Sequence, residues 1–236
     1  MTTIANRIAD NLARVRARIS QACQRAGRDS DDVTLVCVTK YAQPEWIDGL
    51  LECGELVLGE NRPQQLEQRA SRFSDRIQWH LIGQLQRNKV RRTLAVASMI
   101  HSVDSMKLLE RIDAIANDDG RHPAVLLQVN ISGEDSKGGF TSDMLHDAWS
   151  RIHSLESVNI RGLMTMAPLS DDPRTSRDIF DRLHQLARKL RTDRVGQGGE
   201  SLTELSMGMS NDFEVAVEAG ATMIRLGRTL FEGLDA

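Results

Sequence analysis

Lysine is scarce in this sequence: the thirty basic residues divide into 25 arginines and five lysines, Lys40, Lys89, Lys107, Lys137 and Lys189. Chemistry that needs a primary amine therefore has few candidates. Aromatic residues are few as well, at 4% of the chain, and Tyr41 is the one tyrosine. Cys23, Cys37 and Cys53 are odd in number and form no C-x-x-C pair, which removes the usual thiolate metal and dithiol motifs. They read as small buried hydrophobes in a reducing compartment. No stretch approaches the ~18 consecutive apolar residues of a transmembrane helix. The opening segment MTTIANRIADNLARVRARIS spreads arginines through itself and lacks the apolar core of a secretory signal. A net charge of −3 gives no global attraction to nucleic acid or to an anionic membrane. The expectation is a cytoplasmic protein with no nucleic-acid, membrane or metal partner.

What is present is an ordinary globular composition, 40% apolar and 27% charged over 236 residues, enough for one sizeable core. Ile4, Ile8, Leu12, Val15, Ile19 and Cys23 recur at helical spacing before Gly27, which predicts an amphipathic helix ahead of the first strand. Apolar, β-branched runs then predict strands at 33–40, 56–58, 77–82, 99–103, 124–131, 158–166, 202–207 and 222–226. Helical patterns follow each of them: one opened by Pro44, then 63–73, one from about Leu85, one from Ser105, 144–152, one carrying Ile179 to Leu190, 210–219, and a short one from Gly227. The segment RVGQGGES at 194–201 reads as a flexible insert. Eight strands, each followed by a helix, with one helix extra at the front, predict a single (β/α)8 TIM barrel over residues 1–236. An open doubly wound sheet is the alternative, and no break in composition marks a domain boundary.

In such a barrel the chemistry gathers at the C-terminal ends of the strands. Lys40, Asn61, His80, Asp104, Asn130, Ser206, Ser210 and Arg225 all fall within or after predicted strands. Any one of them can be a loop or helix cap. Lys40 closes the run VTLVCVTK, where burial would free its amine for Schiff-base formation; the plainer reading is a lysine that reaches back to water. In LSMGMSNDFEVAVEAGATMIRLGRTLF, Gly208 allows close backbone approach, Ser210 is placed to open a helix, and Gly227 with Arg228 opens another. Two helix starts after strands seven and eight would make a phosphate cradle. By alternation Arg225 projects into the barrel mouth, where its guanidinium needs a partner such as a pyridine nitrogen. A Schiff-base lysine, a phosphate cradle and an arginine between them describe a pyridoxal phosphate site.

The segments LVCVTK, LGENRPQQL, WHLIGQLQRNK, HSVDS, LQVNISGEDSKGGF, GLMTM and LSMGMSNDFEVAVEAGATMIRLGR resemble, in order and spacing, the pyridoxal phosphate homeostasis protein family, related to the N-terminal barrel of alanine racemase. The resemblance implies a fold-type III barrel that holds pyridoxal 5'-phosphate on Lys40 as an internal aldimine. It also implies a phosphate bound by Ser210 with the backbone of Gly227 and Arg228, Arg225 facing the ring nitrogen, and Asn61, Ser206 and Met207 near the cofactor. The chain departs from the family pattern at Leu58, at Gln84 and at Arg228, where a small hydroxyl residue is usual.

The same resemblance implies a binding protein that buffers the cofactor in vitamin B6 homeostasis and delivers it to pyridoxal phosphate-dependent apo-enzymes, working as a monomer or weak dimer. Racemisation would need a second acid or base across the ring. Alanine racemase takes one from a further domain, which the chain is expected to lack, and Tyr41 is expected to point away from Lys40 by strand alternation. The alternative is an amino-acid racemase or lyase in which His80 or Lys137, the latter in the loop SGEDSKGGF, supplies that group. A cofactor-free Schiff-base aldolase is a third reading, distinguished by its lack of colour.

Overall fold

The structure is a computed structural model that describes residues 3–134, 138–168, 170, 172–192 and 202–234. Lys137 and the insert at 194–201 lie outside the described residues. Eight parallel strands alternate with helices in chain order. They are β1 (Thr34–Val38), β2 (Val57–Glu60), β3 (Gln78–Leu81), β4 (Met99–Val103), β5 (Ala124–Gln128), β6 (Asn159–Met164), β7 (Glu204–Ser206) and β8 (Met223–Leu226). Each pairs with the next, and β8 returns to β1 through Thr34↔Met223, Leu35↔Ile224, Val36↔Arg225 and Cys37↔Leu226. That last pairing closes the barrel and removes the open-sheet alternative. Six of the strands are shorter than the apolar runs that predicted them, because the outer residues of those runs belong to the loops; β4 matches its run, and β2 extends two residues past its own, to Glu60.

Helix α1 (Ile4–Ala26) precedes β1; α2 (Pro44–Glu52), α3 (Pro63–Arg72), α4 (Val90–Leu94), α5 (Met106–Asp118), α6 (Ser142–His153), α7 (Pro173–Thr192) and α8 (Phe213–Glu218) follow β1 to β7 in turn. Among the described residues β8 is followed by no α-helix but by a 3-10 turn, Arg228–Leu230. The first helix fills the place this leaves: α1 contacts α2 on one side and α8 on the other, and also the 3-10 turn. Its inward face is Ile8, Leu12, Val15, Ile19 and Cys23, with Ile4 exposed against expectation. Thr3 caps its start by accepting from the Asn6 amide, and Gly27 ends it at φ 65. Buried Asn11 donates at 3.0 Å to the carbonyls of both Leu230 and Glu232, which fastens the C-terminal turn to this helix.

Two apolar regions result. The larger lies between the strands and the helices and takes the outward-facing strand residues, such as Leu35, Cys37 and Leu58, with the inner faces of the helices. The smaller is the barrel interior, where Val36, Leu126, Met164 and Met223 meet. Each fully buried aliphatic side chain contributes about 1.5–3 kcal/mol. In β6 the register against β5 skips Arg161, and a Cβ at Gly162 would stand 1.8 Å from the Glu204 carbonyl, so the bulge needs a glycine there. Cys23 and Cys37 are buried and Cys53 is half-buried; all three are free, and burial raises each thiol above its ordinary range. Among the described residues no helix is long and apolar enough to cross a membrane.

Candidate functional site

A cleft of about 960 Å³ opens at the C-terminal ends of the strands, within the range of small-ligand sites. Lys40, Asn61, Ser210, Arg225, Gly227 and Arg228 all line it. These come from the ends of β1, β2, β7 and β8, so the barrel gathers residues that are as much as 188 positions apart, from 40 to 228. Ser206 and Met207 are fully buried beneath this surface and do not line the cleft.

Lys40 stands two residues beyond the end of β1, in a turn, and is exposed. The burial on which the sequence argument leaned does not arise, because the strand stops before the lysine. The turn also breaks the alternation assumed for Tyr41: Lys40 Nζ lies 5.2 Å from the Tyr41 ring centroid, and the ring is 82% exposed. Lys40 and Asn61 also line a second cavity of about 560 Å³, with Tyr41, Arg62 and three glutamines of α3. Asn61 seats closely against Gly83, where a Cβ would fall 2.1 Å from the Asn61 carbonyl.

Arg225 is 5% exposed and faces the cleft. Its Nη1 donates to Ser206 Oγ at 2.6 Å and its Nη2 to the Thr165 carbonyl at 3.0 Å. Burial lowers its pKa to about 10, against the opposing pull of the Asp212 carboxylate, so the guanidinium stays charged at neutral pH. Behind it a polar chain crosses the barrel interior: Ser206 Oγ lies 2.8 Å from His101 Nδ1, and His101 Nε2 lies 3.0 Å from His80 Nδ1. Burial lowers His80 to about 4 and His101 well below its ordinary value, with His80 and Arg225 adding to the effect on His101. His80 is 4% exposed and does not line the cleft, so the candidate base predicted there is a member of this interior chain. His101 was not among the predicted site residues.

The loop after β7 differs from its prediction. Ser210 does not open a helix: α8 begins at Phe213, its N-cap is Asp212, and Asp212 Oδ1 accepts from the Met209 amide at 2.6 Å. With α8 only six residues long, the helix dipole adds little, and the cradle is made of loop groups. Burial raises the Asp212 pKa, partly offset by the Met209 amide and by Arg225. The amides of Ser210 and Asn211 make no hydrogen bond among the described residues. Ser210 Oγ lies 3.5 Å from Thr229 Oγ1 across the cradle. A hydroxyl thus stands one residue after Arg228, on Thr229. Arg228 itself is exposed and reaches Asn211 Oδ1 with Nη2 at 3.0 Å. Gly208, at φ 91, allows this turn: a Cβ there would lie 2.5 Å from that of Ala216.

The charges of the cleft fall into two groups. Arg18 with Glu214 and Arg25 with Glu218 pair with each other at one end. Lys40, Arg225 and Arg228, opposed by Asp212, leave the other end cationic. That end offers an amine, a donor-only guanidinium, and a cradle of two hydroxyls and two unpaired amides. It suits a ligand with a carbonyl carbon, a ring acceptor and an anionic group.

Residues 6–235 match the family model of the alanine racemase N-terminal domain. The chain is 38% identical over 223 residues to the pyridoxal phosphate homeostasis protein of Aquifex aeolicus, covering 94% of this chain and 96% of that one. It is 32% identical over 237 residues to the protein of the same name from Escherichia coli K12, covering 98% of each. Among solved structures, PipY of Synechococcus elongatus with PLP bound superposes with a TM-score of 0.83 at 35% identity, over 95% of this chain and 99% of that one. Alanine racemase of Clostridium difficile 630, at 15% identity and a TM-score of 0.71 over 98% of this chain and 58% of that one, shares the barrel fold.

Proposed function

The chain belongs to the pyridoxal phosphate homeostasis protein family, and from that premise we propose that it holds pyridoxal 5'-phosphate covalently and reversibly on Lys40 in the cytoplasm and delivers it to apo-enzymes. The observation that carries this reading is the convergence of Lys40, Arg225 and Ser210 on one cleft, with Thr229 Oγ1 3.5 Å from Ser210 Oγ. Bound there, pyridoxal phosphate supplies an aldehyde that condenses reversibly with primary amines. Lys40 Nζ, which lines the cleft, would be the amine that meets that aldehyde. Ser210, Thr229 and the amides of Ser210 and Asn211 hold the phosphate, and Gly227 keeps the backbone close to it. Arg228 adds positive charge at the rim.

Arg225 decides what else the site does. A guanidinium only donates, and with a pKa of about 10 it keeps its protons at neutral pH, so it binds the ring nitrogen without protonating it. A ring left unprotonated is a weak electron sink, which favours holding over carbanion chemistry. The cleft lining contains no histidine or tyrosine among the described residues, and its carboxylates are engaged, Glu214 and Glu218 with arginines and Asp212 with the Met209 amide. Both observations favour a carrier over a racemase.

The purified protein is expected to be yellow, and Lys40→Ala to abolish the visible band and borohydride trapping. A full-stoichiometry reducible adduct in Lys40→Ala would move the site elsewhere. Transfer to an apo-enzyme faster than spontaneous release, without α-proton exchange on amino acids in D2O, is the expected signature of delivery. Stereospecific exchange at catalytic rates would instead make the protein an enzyme.

A further inference from the structure

Glu60, the last residue of β2, is fully buried on the side of the strand that faces α3, near the buried Leu58 and Leu66. Its Oε1 accepts from the Thr39 hydroxyl and from Arg69 Nη1. Burial raises its carboxyl pKa, opposed by both of these donors. Arg69, from the last turn of α3, then reaches the loop after β1 twice: Nη1 donates to the Thr39 carbonyl at 2.5 Å and Nη2 to the Ala42 carbonyl at 2.7 Å. Between those two, the Lys40 carbonyl accepts from Gln65 Nε2 at 3.0 Å. Three of the four carbonyls of the segment 39–42 are therefore tied to α3, and they bracket the lysine.

A carboxylate at an apolar strand–helix contact is a poor way to stabilise a fold. Desolvation cancels much of a buried ion pair's attraction, and apolar replacements of such pairs are often neutral or stabilising. The pair instead does something leucines cannot, which is to hold main-chain carbonyls in place. Lys40 itself is an exposed, flexible side chain lining two cavities, so the direction in which it leaves the backbone depends on this turn. We propose that Arg69 and Glu60 are positioning residues for Lys40: they fix the 39–42 turn so that the amine is presented to the cofactor cleft.

This inference rests on Lys40 being the amine that takes up the cofactor. The variant Glu60→Leu/Arg69→Leu removes the two Arg69 ties, to the Thr39 and Ala42 carbonyls, keeps that of Gln65 to the Lys40 carbonyl, and leaves apolar side chains at the strand–helix contact. Its thermal midpoint is expected to stay near or above that of the parent. Its rate of adduct formation with added pyridoxal phosphate, read at the visible band, is expected to fall about tenfold to a hundredfold, the usual consequence of displacing a reacting group by about 1 Å. Binding of pyridoxine 5'-phosphate, which has no aldehyde, is expected to remain within about twofold, since the cradle and Arg225 are untouched. Arg69→Lys keeps the charge beside Glu60 but not the forked reach, and is expected to be intermediate. A parental rate of adduct formation in the folded double variant, or in Arg69→Lys should the double variant not fold, would overturn the proposal. An adduct retained in Lys40→Ala would overturn the assignment of the amine instead, so the two failures are distinguishable.

Discussion

Arg225 Nη1 donates to Ser206 Oγ at 2.6 Å, and this bond orders the protons of a chain that runs across the barrel. Ser206 is fully buried, so its own hydrogen needs an acceptor, and His101 Nδ1 at 2.8 Å is the one in reach among the described residues. His101 must then carry its proton on Nε2 and donate it to His80 Nδ1, 3.0 Å away, leaving His80 protonated on Nε2. The chain works only with both imidazoles neutral. It makes His80 a support for Arg225 rather than a base at the cleft.

Acid should undo it. The His80 pKa is about 4 in the folded protein, lowered by burial from an unfolded value near 6.5. Between those values the unfolded state binds the proton and the folded state does not, so stability falls as pH drops through the window and levels off below it. The shift corresponds to about 3 kcal/mol. Chemical denaturation from pH 7 to pH 4 is expected to show a loss of this order that is smaller in His80→Gln, whose amide oxygen can still accept from His101. Equal losses in the two proteins would remove His80 as the cause.

Gly208 offers a test of the loop that carries the cradle. Its φ of 91 and the 2.5 Å separation of a built Cβ from the Ala216 Cβ combine backbone strain with overpacking. Its carbonyl also accepts from the Arg225 amide at 3.0 Å, joining the loop to β8. Gly208→Ala is expected to lower stability by about 2–4 kcal/mol in urea and to weaken cofactor retention at the same time. A stable variant with intact retention would mean that the loop moves aside at little cost.

The parts of this molecule that were legible in its sequence are those set by local periodicity. The inward face of α1 follows from apolar spacing, and the arginine in the barrel mouth follows from alternation along β8. Closure was legible only through the count of eight strand–helix units, because the pairing of β1 with β8 that seals the barrel joins residues as distant as Thr34 and Met223. The start of α8 was misread for a chemical reason. Ser210, Asn211 and Asp212 are three good N-cap residues in a row, and only the folded loop shows that Asp212 takes the N-cap position, with its carboxylate turned back to the Met209 amide. Glu60 and Arg69 drew no prediction, since a sequence carries no mark of which carboxylate is buried. His101 lay inside a quoted motif, but its role depends on Ser206, 105 positions away.

Thr229 is the residue on which the phosphate reading turns. In family terms the position after Gly227 should carry a hydroxyl, and Arg228 does not. The 3-10 turn at Arg228–Leu230 brings the next side chain round instead, with Thr229 Oγ1 3.5 Å from Ser210 Oγ. At that separation the two hydroxyls can turn to a shared anionic acceptor, and hydrogen bonds to a charged group contribute about 1.5–3 kcal/mol each. Ser210→Ala and Thr229→Val are each expected to weaken retention of pyridoxal phosphate about tenfold or more, measured by equilibrium dialysis, with little change in the wavelength of the visible band. Arg228→Ala is expected to cost less than either and to lose its effect in high salt, because Arg228 is exposed and held to Asn211 at the rim. Were Thr229→Val to bind normally while Arg228→Ala lost the cofactor, the guanidinium would be the true substitute for the missing hydroxyl. The Ser210–Thr229 pair would then serve only to join two loops.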